Sequence, residues 1–237
     1  MKNKNKILVT GGSGRFGKIL KKLYLKNYIF PSKNLLDITN IKSIERYVKK
    51  TRPKAIIHLA GLSRPLSRHD KNPIESINLN IVGTCNIVMV AKKFKIKIIY
   101  FSSNYVYPGI KGNYKENDPV KPFNNYAWSK LGGEASVQLY KNSLILRACM
   151  TEKPFIHRKA FANAKTSFLF QEEVAKILFK LINKKGVVNV GGKAQFIYDF
   201  AKKNNKKVKK IYLNKKSKNF PKNSSINLSK LKKLIKN

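Results

Sequence analysis

Lys6-Ile-Leu-Val-Thr10-Gly-Gly-Ser-Gly-Arg-Phe-Gly17 is the stretch from which the fold is read. A short apolar run of strand length meets glycines spaced Gly11-x-x-Gly14-x-x-Gly17. Phe16, Ile19, Leu20 and Leu23 then recur at helical spacing. A glycine triplet alone is weak evidence, but between a strand and a helix it reads as a dinucleotide-binding turn. Gly11 permits the tight turn, Gly14 lets the backbone approach a pyrophosphate, and Gly17 lets the helix sit close. The helix N-terminus then presents N–H groups and the positive end of its dipole to phosphates.

Outward from this unit, the pattern alternates. Ala55–Leu59, 96–101, 143–147 and 187–190 read as strands, with a weaker one near Tyr28 to Phe30. Helical patterns fill 41–48, a long segment after Pro73, and 126–141, 171–183 and 196–204. Alternating strands and helices imply an α/β fold, a Rossmann-type doubly wound parallel sheet with right-handed crossovers. The Pro- and Gly-containing segment 107–125 reads as a loop, and 151–170 fits neither period. The expected organisation is a Rossmann domain over 1–150, a short, shortened substrate-binding region over 151–204, and a basic Lys/Asn-rich tail over 205–237. Whether the tail is ordered is left open, with a short helix read at 228–235.

Composition narrows the functional classes. The 237 residues carry a formal net charge of +40, which first suggests a nucleic-acid partner. However, the 44 Lys, 25 Asn and 24 Ile are residues favoured by A/T-rich codons, and the cations are spread along the chain without a zinc-finger or RNP-type motif. The excess is therefore read as compositional, leaving only non-specific contact with polyanions. Cys85 and Cys149 form no CxxC pair, which excludes a disulfide scaffold or a cysteine zinc site and fits a reducing cytoplasm. No metal site is expected. No 18-residue apolar window is read, so no membrane contact is expected.

A Tyr-x-x-x-Lys pair occurs four times, at Tyr107/Lys111, Tyr126/Lys130, Tyr198/Lys202 and Tyr212/Lys216. In so lysine-rich a chain the spacing means little, and context must choose. Only Tyr126 opens a helix some twenty residues after a strand that ends in Ser, Phe101-Ser-Ser103. Spacing i, i+4 places Tyr126 and Lys130 on one helical face. A phenol titrates near 10, too high for efficient proton transfer at neutral pH, and a neighbouring lysine cation lowers it.

With the glycine loop in its GxxGxxG form, these residues resemble the extended short-chain dehydrogenase/reductases. The closest resemblance is to the dTDP-4-dehydrorhamnose reductase and sugar-nucleotide-binding branch. Leu36-Asp-Ile-Thr39 is similar to that branch's LDIT segment, and Phe101-Ser-Ser-Asn-Tyr-Val-Tyr107 to its STDYVF segment. Gly112 to Pro119 is similar to GxYxExDxP, Asn125 to Glu134 to YGxSKLxGE, and Asn189 to Gly192 and Ile197 to Ala201 to NVGG and YDFA. The resemblance implies a catalytic set of Ser103, Tyr126 and Lys130, supported by Asn80, whose other reading is a polar helix residue. It implies a cofactor edge of Gly11, Gly14, Arg15, Phe16, Gly17, Asp37, Ile38, Ala60 and Gly61. Asp37 suits either an adenosine ribose or a cap of the following helix. His58 reads as a packed strand residue.

Ser103, Asn104 and Ala127 stand where the family usually has Thr, Asp and Gly. Asn104 and Arg158 are the expected substrate contacts. Arg147, Lys153 and Lys159 are lesser candidates, read as solvated surface charges. No acid ends the second strand, and Arg15 and Lys33 could reach a 2′-phosphate, so the reading favours NADP(H) and leaves NAD(H) open. The implied function is NAD(P)H-dependent reduction of a 4-keto nucleotide sugar. A nucleotide-sugar epimerase or dehydratase, and a non-catalytic dinucleotide-binding subunit, stand as alternatives. A cytoplasmic location is expected and a homodimer is left open.

Overall fold

Largely apolar runs of four to seven residues build the longer strands, and apolar residues at helical spacing build the helices between them. A computed structural model describes residues 6–24, 26–214, 217 and 220–236. The elements are β1 (Ile7–Thr10), α1 (Arg15–Leu23), β2 (Tyr28–Ile29), α2 (Ile41–Thr51), β3 (Ala55–His58), α3 (Ser67–Lys71) and α4 (Pro73–Ser76). A π-helical stretch, Ile77–Val82, runs on into α5 (Gly83–Lys93). After these come β4 (Lys97–Ser103), α6 (Asn125–Gln138), β5 (Ser143–Ala148), β6 (Met150–Thr151), β7 (Lys159–Phe161), β8 (Lys165–Thr166) and β9 (Leu169–Phe170). The chain ends with α7 (Gln171–Leu181), β10 (Gly186–Val190), β11 (Gln195–Phe196), α8 (Ile197–Asn204), β12 (Lys209–Ile211) and α9 (Ser229–Lys236).

The main sheet has the order β10-β5-β4-β3-β1-β2. β1 pairs in parallel with β2 and β3, and β3 with β4, with Thr10 opposite His58 and His58 opposite Tyr100. Leu8, Val9, Ile56, Ile57, Ile98 and Ile99 are wholly buried along these strands. Strands apolar on both faces are the mark of a sheet covered by helices on each side.

Two compact units interleave along the sequence, so neither is one continuous block. The first comprises residues 1–102, 128–145 and 184–186; the second comprises 103–127, 146–183 and 187–237. Within the second unit, segment 151–170 resolves into strands of two or three residues, too short to show a period in sequence. β6 pairs with β9 and β7 with β12 in parallel, and β8 with β11 antiparallel. Described residues of the Lys/Asn-rich tail join the second unit: Tyr114 bridges Ile226, Lys165 bridges Asn223, and α9 falls within one residue of the helix expected at 228–235. Lys216 of the Tyr212/Lys216 pair lies outside the described residues.

Two expectations are corrected here. Pro73–Lys93 is, by length and composition, apolar enough to cross a membrane, with mean hydropathy 1.4 over its apolar window. Half of that window is buried, and the polar Asn80, Thr84 and Asn86 are buried within it, so it is a core helix of the first unit. Arg147 is not a surface charge. It is 4% exposed, donates to the Tyr107 hydroxyl at 2.8 Å and the Glu116 carbonyl at 3.0 Å, and lies over the Tyr107 ring.

Candidate active site

In the first unit, the turn after β1 carries the glycine loop. Gly11 sits at φ +70°, and a Cβ there would stand 2.6 Å from the Ala60 amide nitrogen, so only glycine lets the two loops meet. The Gly14 amide closes the turn onto the Gly11 carbonyl at 3.0 Å, and Gly14 is the N-cap of α1, whose first turn no side chain caps. Gly11, Gly14, Asp37, Ile38, Ala60 and Gly61 line one cleft of about 290 Å³, together with Thr10, Ser13, Pro31, Lys33, Leu36, Leu59 and Leu79. Six of the nine expected cofactor residues are thus brought together.

Three are not. Phe16 is a core residue, its ring 4.9 Å from that of Phe101, and Gly17 is buried inside α1. Arg15 reaches Ser63 Oγ at 3.0 Å and lies outside the cleft lining, whereas Lys33 lies within it. Asp37 does not cap α2. Asn40 does, accepting the Ser43 amide at 3.2 Å, while the Asp37 carboxylate accepts the Thr39 amide and hydroxyl at 2.9 and 2.8 Å. The Thr39 amide holds this carboxyl below its usual range. The cradle that a Cβ would fill at Gly11, the uncapped α1 N-terminus and the lysine on the rim all suit a dinucleotide phosphate.

α6 carries Tyr126 and Lys130 one turn apart. Lys130 Nζ lies 4.3 Å from the centre of the Tyr100 ring, and the Tyr100 hydroxyl donates to the Lys130 carbonyl at 3.0 Å. Burial pushes the ammonium down to about 7, while the nearby Glu134 pulls it up. Glu134 is wholly buried and accepts the Ser102 hydroxyl at 2.5 Å. α6 packs close because a Cβ at Gly133 would meet the Asn80 carbonyl oxygen at 2.5 Å and the Tyr100 hydroxyl at 2.7 Å.

Asn80 is buried in the π-helical stretch. Its Oδ1 accepts the Leu62 amide at 2.7 Å, and its Nδ2 donates to the Leu62 carbonyl at 2.9 Å and to Ser129 Oγ at 2.7 Å. It therefore ties the loop after β3 to α6. In the second unit, Ser103 Oγ accepts the Tyr105 amide at 3.2 Å, and the rings of Tyr105 and Tyr126 meet edge to face at 6.4 Å. Asn104, read as a substrate contact, is buried and donates to the Ser224 carbonyl at 3.0 Å; Arg158 is exposed. Tyr107 is wholly buried on Asn189 and Arg147, which removes it as a rival to Tyr126.

A family model, the RmlD substrate binding domain, matches residues 5–151. The chain belongs to the RmlD substrate binding domain family. Among curated relatives, a dTDP-4-dehydrorhamnose reductase of Aggregatibacter actinomycetemcomitans is 30% identical over 152 residues, 62% of this chain and 51% of that protein. A methionine adenosyltransferase 2 subunit beta of Xenopus laevis is 30% identical over 154 residues, 59% of this chain and 45% of that protein. The chain spans about half the length of these curated relatives. A crystal structure of dTDP-4-dehydrorhamnose reductase from Bacillus anthracis str. Ames, in complex with NADP, superposes with TM-score 0.86 at 25% identity, covering 97% of this chain and 92% of that one. The Rossmann-type α/β fold of this RmlD-family chain is the one expected from sequence. Sequence reasoning missed Tyr100, Thr84 and Ser129, whose roles come from partners 26 to 49 residues away; the only sequence signal was their place beside the motif residues.

Proposed function

We propose that this chain is an NADP(H)-dependent reductase of a keto nucleotide sugar. The observation that carries the reading is a glycine-lined dinucleotide cleft combined with a half-buried lysine, packed over the Tyr100 ring, one helical turn after Tyr126. Gly11, Gly14, Ile38, Ala60 and Gly61 would hold the dinucleotide, with Lys33 toward a 2′-phosphate and Asp37 toward the adenosine ribose. When bound, NADPH supplies the hydride to the carbonyl carbon. Tyr126 would give its phenolic proton to the carbonyl oxygen, so that the ketone becomes an alcohol. Lys130, as the ammonium, would stabilise the tyrosinate left behind, and Ser103 would donate to the substrate's carbonyl oxygen. Asn80 holds the Leu62 loop against α6. The relative of known structure that binds NADP, and the curated reductase, support this cofactor and substrate class.

The test is a panel of 4-keto nucleotide sugars incubated with NADPH or NADH, followed by the absorbance of the reduced cofactor. One equivalent consumed per sugar reduced supports the reading. Conversion with retained NAD and no net oxidation would replace it with the epimerase alternative. The relatives named as a methionine adenosyltransferase subunit favour a second reading, a dinucleotide-binding subunit without turnover. Tight NADPH binding with no turnover on any sugar of the panel would support that one.

A further inference from the structure

A file of buried hydrogen bonds runs behind the cofactor cleft, and His58 is at its centre. Thr10, His58, Asn80 and Thr84 are each 1% exposed. Thr84 Oγ1 donates to the Asn80 carbonyl at 2.7 Å, and a carbonyl can only accept, so that hydroxyl proton is committed. His58 Nε2, 3.1 Å from the same Thr84 oxygen, must therefore be the donor. Nδ1 is then left as an acceptor and takes the Thr10 hydroxyl at 2.7 Å. With its proton turned toward His58, Thr10 Oγ1 presents lone pairs to the amides of Leu59 and Ala60, which it accepts at 3.2 Å each. Leu59, Ala60 and Thr10 all line the cleft. At the other end, Asn80 grips Leu62 and Ser129.

We propose that His58 is a positioning residue for the dinucleotide: fixed as the neutral Nε2–H tautomer, it orients Thr10 to hold the Leu59–Ala60 backbone at the cofactor edge and links that edge to Asn80 and α6. The inference rests on the cofactor reading above. Every donor and acceptor in the file is used in one direction only, so reversing the tautomer would break the bond to Thr10 or to Thr84. Burial and the Lys130 charge keep the ring neutral, far below its usual range at about 3. No proton transfer through the ring is required. Its part is to hold geometry.

The experiment combines a spectroscopic signature with rescue. Long-range ¹H–¹⁵N spectra of the histidines, assigned with His58→Leu or Thr10→Val, should show His58 as neutral Nε2–H from pH 5 to 8. Titration of NADPH should give a dissociation constant raised about tenfold or more in His58→Leu and Thr10→Val, the loss of one or two buried hydrogen bonds. His58→Gln and Thr10→Ser, which keep an acceptor and a donor, should stay within a few-fold of the wild type. If His58→Leu does not fold, the Thr10 pair decides. A protonated or Nδ1–H ring, or folded Thr10→Val binding NADPH like the wild type, overturns the proposal. If the wild type binds neither NADPH nor NADH, the cofactor reading fails along with it, and the tautomer spectrum shows separately whether the hydrogen-bond file stands.

Discussion

At Tyr126 a single oxygen atom separates the reactive side chain from an inert one. Tyr126→Phe should leave NADPH affinity and melting temperature near those of the wild type while turnover drops by about 10² or more, the scale of general acid–base catalysis. Tyr107→Phe should do the reverse. Its hydroxyl is buried between Asn189 and Arg147, so its loss should cost about 1–3 kcal/mol of stability, read from denaturant melts, with turnover per folded molecule kept. In the proposed reading the 2′-phosphate contact falls to Lys33. Lys33 is on the cleft wall and Arg15 is turned to Ser63, so Lys33→Ala should weaken NADPH about tenfold while sparing NADH. Arg15→Ala should show no such bias. Calorimetric titration with both dinucleotides distinguishes the two residues.

Among the elements, α6 sets the pH behaviour. Lys130 titrates at about 7, and the charged form is the one below that pH. If tyrosinate stabilisation needs the ammonium, the reduction rate should decline as pH rises through about 7. Glu134→Gln removes the anion that sustains the charge, so the decline should move to lower pH, with the Ser102 hydroxyl still able to find an acceptor. β3 sets acid sensitivity. His58 titrates at about 3 in the fold and about 6.5 when unfolded, so between these values the unfolded chain binds the extra proton. Stability from this residue is full above pH 6.5 and is lost as pH falls toward 3, by up to about 5 kcal/mol. Melts of His58→Gln and wild type between pH 4 and 7 should converge at the acid end. The longer strands and helices of the first unit, β1, β3, β4, α1, α2, α5 and α6, were legible because each has a period and its own punctuation, such as Gly11 to Gly17. β6 to β9 were not, because two residues cannot express a period and their partners lie up to 50 residues away. Arg147 and Lys33 were misjudged or left ambiguous for one reason: among 51 basic residues, sequence offers nothing to separate a buried or cleft-facing cation from a solvated one.

For the whole molecule, a net charge of +40 should make the protein adhere to any DNA at low salt. Binding should fall steeply between about 50 and 200 mM salt and show no sequence preference, as counterion release dictates. Fluorescence anisotropy with two unrelated duplexes checks both; one sequence held tightly at physiological salt would restore the nucleic-acid reading. The second unit carries a different kind of constraint, one of timing. Tyr114 bridges Ile226, and its stacked neighbour Tyr107 is held on Asn189. On a ribosome adding ~5–20 residues per second, roughly 6–20 s separate the synthesis of those two bridging residues. Through that interval the nascent loop waits without its partner, its aromatic side chains open to chaperones and to neighbouring chains. A message truncated after codon 204 would then yield a chain whose Rossmann strands are complete and whose second unit never closes.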